Sequence, residues 1–212
     1  FDRLPELAAM LVAKKVDVIW TSSPLGAVAA ARATTTSPIV FWRVGAPVEY
    51  GLVDSIARPG RNVTGLAWFA DASIYLKRYQ LLREMAPHAR RLASLGATGG
   101  VWRTVSGEVA NFQSYVDKSN AAARDLGFEF RRFEIGGPDD FEPVLGAIAK
   151  WGPNSLFVQD IPQTIRERKR IVDFARRHRL FDIYEALEWT EAGGLISYGI
   201  VFEPTLVRTA DY

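Results

Sequence analysis

The residues best suited to chemistry stand just after short apolar runs. Thr21-Ser22-Ser23-Pro24 places three hydroxyls beside backbone N–H groups at the start of a helix, where the aligned peptide dipoles favour an anion. A ligand carboxylate or phosphate could dock there. Equally, one serine could simply cap the helix by accepting a backbone N–H. Asp160, Glu185 and Glu188 fall in comparable loops. Two of them could form a carboxylate pair for acid–base work, although polar contact with a ligand is the commoner use. Trp42 and Trp102 lie at or just past strand ends, where a flat aromatic wall suits an apolar or aromatic ligand. Trp20 sits inside an apolar run and reads as core packing. The set expected to touch a ligand is Ser22, Ser23, Trp42, Gly45, Ala46, Thr98, Trp102, Asp160, Tyr184, Glu185 and Tyr198.

Other chemistries lack their residues. Without cysteine there is no disulfide, zinc–thiolate site or thiol nucleophile. The two histidines, His88 and His178, read as surface residues, too few for a histidine-based triad or metal cluster. No G-x-G-x-x-G follows the first strand, and no phosphate-cradling G-x-x-x-x-G-K-[ST] occurs. Gly96-Ala97-Thr98-Gly99-Gly100 is too degenerate for phosphate recognition and reads as a loop that tolerates close backbone approach. The chain is therefore expected to bind without catalysing, with no cofactor and no metal. A formal net charge of +2 does not favour nucleic acid. The run Arg166-Glu167-Arg168-Lys169-Arg170 reads mostly as the solvated face of a helix whose inner face holds Ile165, Val172 and Ala175. Asn62-Val63-Thr64 matches a glycosylation sequon but lies in a strand pattern. No apolar run approaches the roughly 18 residues that span a bilayer.

These loops need a scaffold, and the pattern supplies one. Helical periodicity over residues 4–14, with Leu4, Leu7, Ala8 and Leu11 on one face, leads into a β-branched strand over 16–20. Ser23 and Pro24 then start an alanine-rich helix reaching about residue 33. Further strands are expected at 38–44, 62–66, 91–97, 128–135, 155–159, 182–184 and 194–198. Helices are expected at 48–57, 73–85, 107–126, 140–150 and 162–178, with a last one from about 203. Strands alternating with crossover helices give a mostly parallel sheet, and near-continuous apolar strands suit burial on both faces. The strands are too many for one small sheet, so two lobes are expected, with a crossing between residues 65 and 73. In such sheets ligands bind outside the carboxyl ends of the strands, and that rule singles out the loops named above.

Several blocks resemble a known family. They are Arg3-Leu4-Pro5-Glu6-Leu7-Ala8, Val16-Asp17-Val18-Ile19, Pro38-Ile39-Val40-Phe41, Gly51-Leu52-Val53, and Ala57-Arg58-Pro59-Gly60-Arg61-Asn62-Val63-Thr64-Gly65-Leu66. Later come His178-Arg179-Leu180 and Glu191-Ala192-Gly193-Gly194-Leu195-Ile196-Ser197-Tyr198-Gly199. Together they resemble the ABC-transporter substrate-binding proteins that include the tryptophan-type binding proteins. The resemblance implies a type I periplasmic-binding-protein fold: two Rossmann-like lobes closing on a small molecule in the cleft between them. It implies an amino acid or related carboxylate as ligand, the membrane permease of an ABC importer as partner, and an extracytoplasmic location with or without a lipid anchor. Residues 1–66 would form the first lobe, joined by 200–212, and residues 67–199 the second. Such proteins carry a further strand–helix–strand before this start and continue past this end, so the chain, which opens at Phe1 without methionine, is expected to be truncated at both ends. Ala46 stands where the family usually has Asp, residues 96–101 replace a usual Asn-Pro, and Asp160-Ile161-Pro162 replaces Pro-Asp-Pro with the acid shifted by one. A ligand ammonium is thereby less well served, unless Asp160 or Glu185 compensates. The alternatives are the effector-sensing domain of a transcription regulator, which would need a helix-turn-helix segment, and an enzyme on a flavodoxin-like sheet.

Overall fold

The computed structural model describes residues 3–69, 73–97, 103–108, 112–199 and 201–211. By internal packing the chain forms two compact units. The first comprises Phe1–Asp71, Val101–Phe112 and Phe202–Tyr212, the second Ala72–Gly100 and Gln113–Val201.

In the first unit, α1 (Leu4–Ala13), β1 (Ile19–Thr21), α2 (Pro24–Ala33), β2 (Ile39–Val44) and β3 (Val63–Ala67) follow in order. The strands pair in parallel as β1-β2-β3. Alternation along the strands aims Ile19, Ile39, Phe41 and Val63 into a core with Ala27, Val28 and Ala30 of α2. The opposite face carries Trp20. It is therefore not the core residue that its apolar neighbours suggest: it is 47% exposed and stacks on Trp42 at 6.2 Å. The helix expected at 48–57 is a series of turns instead. Helical i→i−3 bonds begin, Glu49 N–H to Ala46 C=O and Gly51 N–H to Val48 C=O, but Gly51 then takes φ +68°, which ends any helix. Leu52 and Val53 still reach the core from these turns. After the second unit the chain returns as α9 (Phe202–Arg208).

The second unit contains α3 (Ser73–Met85), β4 (Arg91–Ala97), α4 (Phe112–Asp125), β5 (Glu129–Ile135), α5 (Phe141–Trp151), β6 (Ser155–Val158), α6 (Pro162–Arg166), α7 (Arg168–Arg177), β7 (Phe181–Tyr184), α8 (Leu187–Glu191) and β8 (Ile196–Ser197). Its five strands are parallel in the order β5-β4-β6-β7-β8. The chain steps outward from β4 to β5 and then jumps back across β4 to β6. That reversal is the topological switch point at which doubly wound sheets bind ligands.

Three helix expectations change here. The helix expected from residue 107 begins at Phe112, because residues 105–108 are turns, with Gly107 at φ +92°. The helix over 162–178 is two helices, because Glu167 at φ −96°, ψ 18° leaves helical geometry. The short α8 follows β7 where no helix was expected. The basic run in α7 behaves as read: Ile171, Val172, Phe174 and Ala175 are buried. Lys169 and Arg176 both pair with Asp173, and Arg170 pairs with Glu142 and Glu167. Arg168 turns inward, its guanidinium 5.8 Å from the Trp189 ring.

Candidate functional site

Tyr75, Arg78, Tyr79 and Leu82 form the buried stripe of α3. A charged residue thus holds a core-facing position, and Arg78 is completely buried. An unpaired guanidinium there would be very costly, and its hydrogen-bond partners come from two loops at the carboxyl rim of the second sheet, one of which engages a third. Nη1 donates to Glu185 Oε1 at 2.7 Å, just after β7, and Nε donates to the Tyr198 carbonyl at 2.9 Å, just after β8. Glu185 Oε2 accepts the Asp160 N–H at 2.7 Å, just after β6. Asp160 Oδ1 in turn accepts Trp189 Nε1 at 3.1 Å. One buried ion pair thereby ties the ends of β6, β7 and β8 together. Gly199 is part of the same joint, because any Cβ there would collide with the Glu185 carbonyl oxygen.

At the switch point, Gln159 lies over Gly96. Its Oε1 accepts Arg132 Nη2 at 3.2 Å, and Arg132 Nη2 also reaches the Ala97 carbonyl at 2.8 Å. Gln159 Nε2 meets the Tyr75 hydroxyl at 3.4 Å. Burial first, and the nearby Glu185 charge second, push the Tyr75 phenol well above its ordinary pKa, so it stays neutral.

The rim of the first sheet is built differently. Ser23 Oγ accepts the Gly26 N–H at 3.0 Å, which makes it the N-cap of α2, while Ser22 is exposed. The pairing of β2 with β3 skips Arg43, since Trp42 pairs with Leu66 and Val44 with Ala67. Arg43 is thus a bulged residue, at φ +61°. Its guanidinium carbon sits 5.4 Å from the Trp42 ring and 5.1 Å from the Trp68 ring. Trp42 Nε1 donates to Thr205 Oγ1 of α9 at 3.1 Å. Beyond the bulge, Ala46 is buried at φ +51°, and its N–H donates to the Phe69 carbonyl at 2.9 Å. Gly45 lets the Phe69 ring approach, since a Cβ would lie 2.5 Å from Cζ.

The residues selected by sequence therefore divide. Ser22, Trp42, Gly45 and the 38%-exposed Tyr198 stay at the surface of their rims. Ser23 caps, and Ala46 is buried in a turn. Asp160 and Glu185 are internal, as is Tyr184, which is fully buried, stacks on Trp189 at 4.7 Å and donates to Asp182 Oδ2 at 2.5 Å. Thr98 and Trp102 lie outside the described residues. Sequence reasoning missed Arg78, Gln159, Arg132 and Arg43. The usable signals were an arginine on the apolar stripe Tyr75–Tyr79–Leu82 and a glutamine directly after the apolar run Leu156-Phe157-Val158. For Arg43 there was none, since a bulge leaves no mark in the pattern. Among the described residues no group of three or more His, Asp or Glu side chains could hold a metal. No described helix is long and apolar enough to cross a membrane.

Parallel α/β units whose strands end in polar and aromatic loops define a class of proteins that bind small molecules at strand carboxyl ends. Within that class, the chain belongs to the ABC transporter substrate binding protein family, whose model matches residues 2–212. A curated relative, the tyrosine-binding protein of Clostridioides difficile (strain R20291), is 32% identical over 114 residues, covering 54% of this chain and 32% of its own length. The chain thus spans about a third of that relative. A conserved domain protein of Vibrio cholerae matches with a TM-score of 0.80 at 23% identity, covering 99% of this chain and 66% of its own. An ABC domain from Streptococcus pneumoniae, solved with L-Trp, matches with a TM-score of 0.75 at 18% identity, covering 99% and 67%. A Rhodopseudomonas palustris solute-binding protein in complex with benzoate matches with a TM-score of 0.63 at 15% identity, covering 87% and 48%. These likenesses confirm the expected α/β solute-binding fold.

Proposed function

We propose that this chain is the ligand-capturing part of an extracytoplasmic solute-binding protein that delivers a small carboxylate-bearing molecule to the membrane permease of an ABC importer. The observation that carries this reading is the family match along residues 2–212. Relatives and neighbours named for tyrosine, L-Trp and benzoate share a carboxylate attached to an apolar body, and the same ligand class is assigned here. The ligand is bound and released unaltered, which suits rims that offer aromatic surface and hydrogen-bonding groups. Ser22, Trp42 and Tyr198 are the contact residues that best combine a rim position with accessibility. Ser23 and Ala46 shape the loops that carry them. Within the second unit, Gln159 stands at the switch point, held in place by Arg132 and Tyr75.

A thermal-shift screen of the chain against amino acids, aromatic acids and small inorganic anions, followed by calorimetry on the hits, tests the proposal. One class of organic carboxylate should raise the melting temperature and be recovered unchanged by mass spectrometry. Recovery of a converted product at a catalytic rate, or no binding across all classes, would overturn it.

A further inference from the structure

We infer that the outer face of α7 is a contact surface for an anionic phospholipid bilayer. The inference rests on charge distribution and does not depend on the solute-binding function proposed above. Every residue of α7 is either buried and apolar or charged: Ile171, Val172, Phe174 and Ala175 pack inward, and the other six positions carry Arg, Lys or Asp. Residues 166–179 hold seven cationic and two acidic side chains, whereas the whole chain has a net charge of only +2. The rest of the chain is therefore net acidic, so an anionic surface attracts this face and repels much of the remainder. Six of the seven cations are arginines, whose planar forks match phosphate oxygens. Pairing within the face leaves cations over. Asp173 is shared by Lys169 and Arg176, and Arg170 takes Glu142 and Glu167. Arg166 and Arg177 are exposed and enter no ion pair among the described residues. Both line an open groove of about 590 Å³, in which five of the seven lining residues are cations.

The chemistry of the face selects among anionic partners. A folded protein partner calls for an apolar centre to the interface, and the outward positions of α7 hold no apolar residue. Single-stranded nucleic acid calls for aromatic platforms, and Phe174, the one aromatic residue of the helix, is buried. A fluid layer of phosphate headgroups needs only exposed cations and adjusts to their spacing, and each Lys or Arg near it adds to the attraction. A basic amphipathic helix has this character at a membrane surface. Because the apolar side of α7 is packed in the core, the contact is electrostatic, without insertion among the acyl chains, and it weakens with salt.

Co-sedimentation of the chain with vesicles tests this, using phosphatidylcholine alone and an equal mixture of phosphatidylcholine and phosphatidylglycerol. At about 0.05 M salt the parent should bind the mixed vesicles at least about tenfold more tightly than phosphatidylcholine, and that preference should vanish at about 0.5 M. The double variant Arg166→Gln, Arg177→Gln should lose about twentyfold, since each cation near an anionic bilayer is worth about fivefold. The double variant Lys14→Gln, Arg58→Gln removes the same charge from exposed positions of the first unit and should bind within about twofold of the parent. Melting curves check that each variant folds. If the Arg166/Arg177 pair does not fold, either single substitution decides instead, with an expected loss of about fivefold. Mixed vesicles bound no more tightly than phosphatidylcholine overturn the inference. So does a loss in the Arg166/Arg177 variant no greater than that in the Lys14/Arg58 variant, because net charge rather than this face would then govern adhesion. A chain that shifts a mixed-sequence DNA duplex but does not sediment with the mixed vesicles overturns it in favour of a nucleic-acid surface. Each of these failures leaves the solute-binding function standing.

Discussion

The carboxyl rims of the two sheets use charge in opposite ways. In the second unit the charges turn inward: Arg78 bonds Glu185 and the Tyr198 carbonyl, Glu185 accepts the Asp160 N–H, and together they fasten three strand ends. In the first unit the cation sits on a strained bulge between two indoles, and the neighbouring Ser22 hydroxyl is exposed. The same topological position thus carries a buried ion pair in one sheet and a half-buried arginine beside two indoles in the other. A charged residue in a loop at a strand end is not a ligand contact by virtue of its place. Its burial and partners decide.

The sharpest way to break this contrast is Arg78→Met. If the pair is joinery, removing the guanidinium strands the Glu185 carboxylate in the interior, and stability should fall by about 3–5 kcal/mol, read as a shift in the urea midpoint. Affinity measured on the folded protein should change far less than stability. If affinity collapses while the urea midpoint holds, the internal acids belong to the ligand after all.

A smaller effect comes from Asp182, another acid held inside the second unit. Its Oδ2 accepts the Tyr184 hydroxyl and its Oδ1 the Leu195 N–H. Burial is the largest influence and pushes its pKa above the usual Asp range, although both hydrogen bonds pull it down. A folded-state pKa above the unfolded one means that the contribution is fully present at pH below the ordinary Asp value. It is lost as pH rises through the raised value, and each tenfold gain in proton affinity on folding corresponds to about 1.4 kcal/mol. Asp182→Asn removes that titration. The stability of the parent relative to the variant should therefore decline as pH rises from about 4 through the raised value, checked by denaturation curves at several pH values. A difference that grows with pH would mean that the charged form is favoured inside.

The mildest test separates two neighbours in the first unit. Ser23→Ala should cost about 1 kcal/mol of stability as a lost N-cap and leave affinity unchanged. Ser22→Ala should stay within about 0.5 kcal/mol of parental stability. It should weaken ligand binding about fivefold, the worth of one net hydrogen bond. Titration and a melting curve on each variant would sharpen the contrast, or blur it if the roles are reversed.

Periodicity and caps are local, and what they record was legible. The alternation of strands with helices, the start of α2 at Ser23-Pro24, the parallel sheets and the loops at strand carboxyl ends all follow from neighbours within a few residues of one another. So does the family resemblance, since it rests on contiguous blocks. The lack of cysteine and the scarcity of histidine removed whole chemistries before any fold was known. The tertiary structure alone decided which polar groups were used up. Arg78 and Glu185 lie 107 positions apart, and Gln159 meets Tyr75 across 84. No local pattern announces such a meeting, because it depends on where α3 packs against the strand ends. Trp20 and Arg43 make the same point. One is exposed because strand alternation turns it away from α2, and the other leaves the ladder because a bulge absorbs an extra residue. Burial of a side chain depends on what folds over it, which a one-dimensional pattern does not contain.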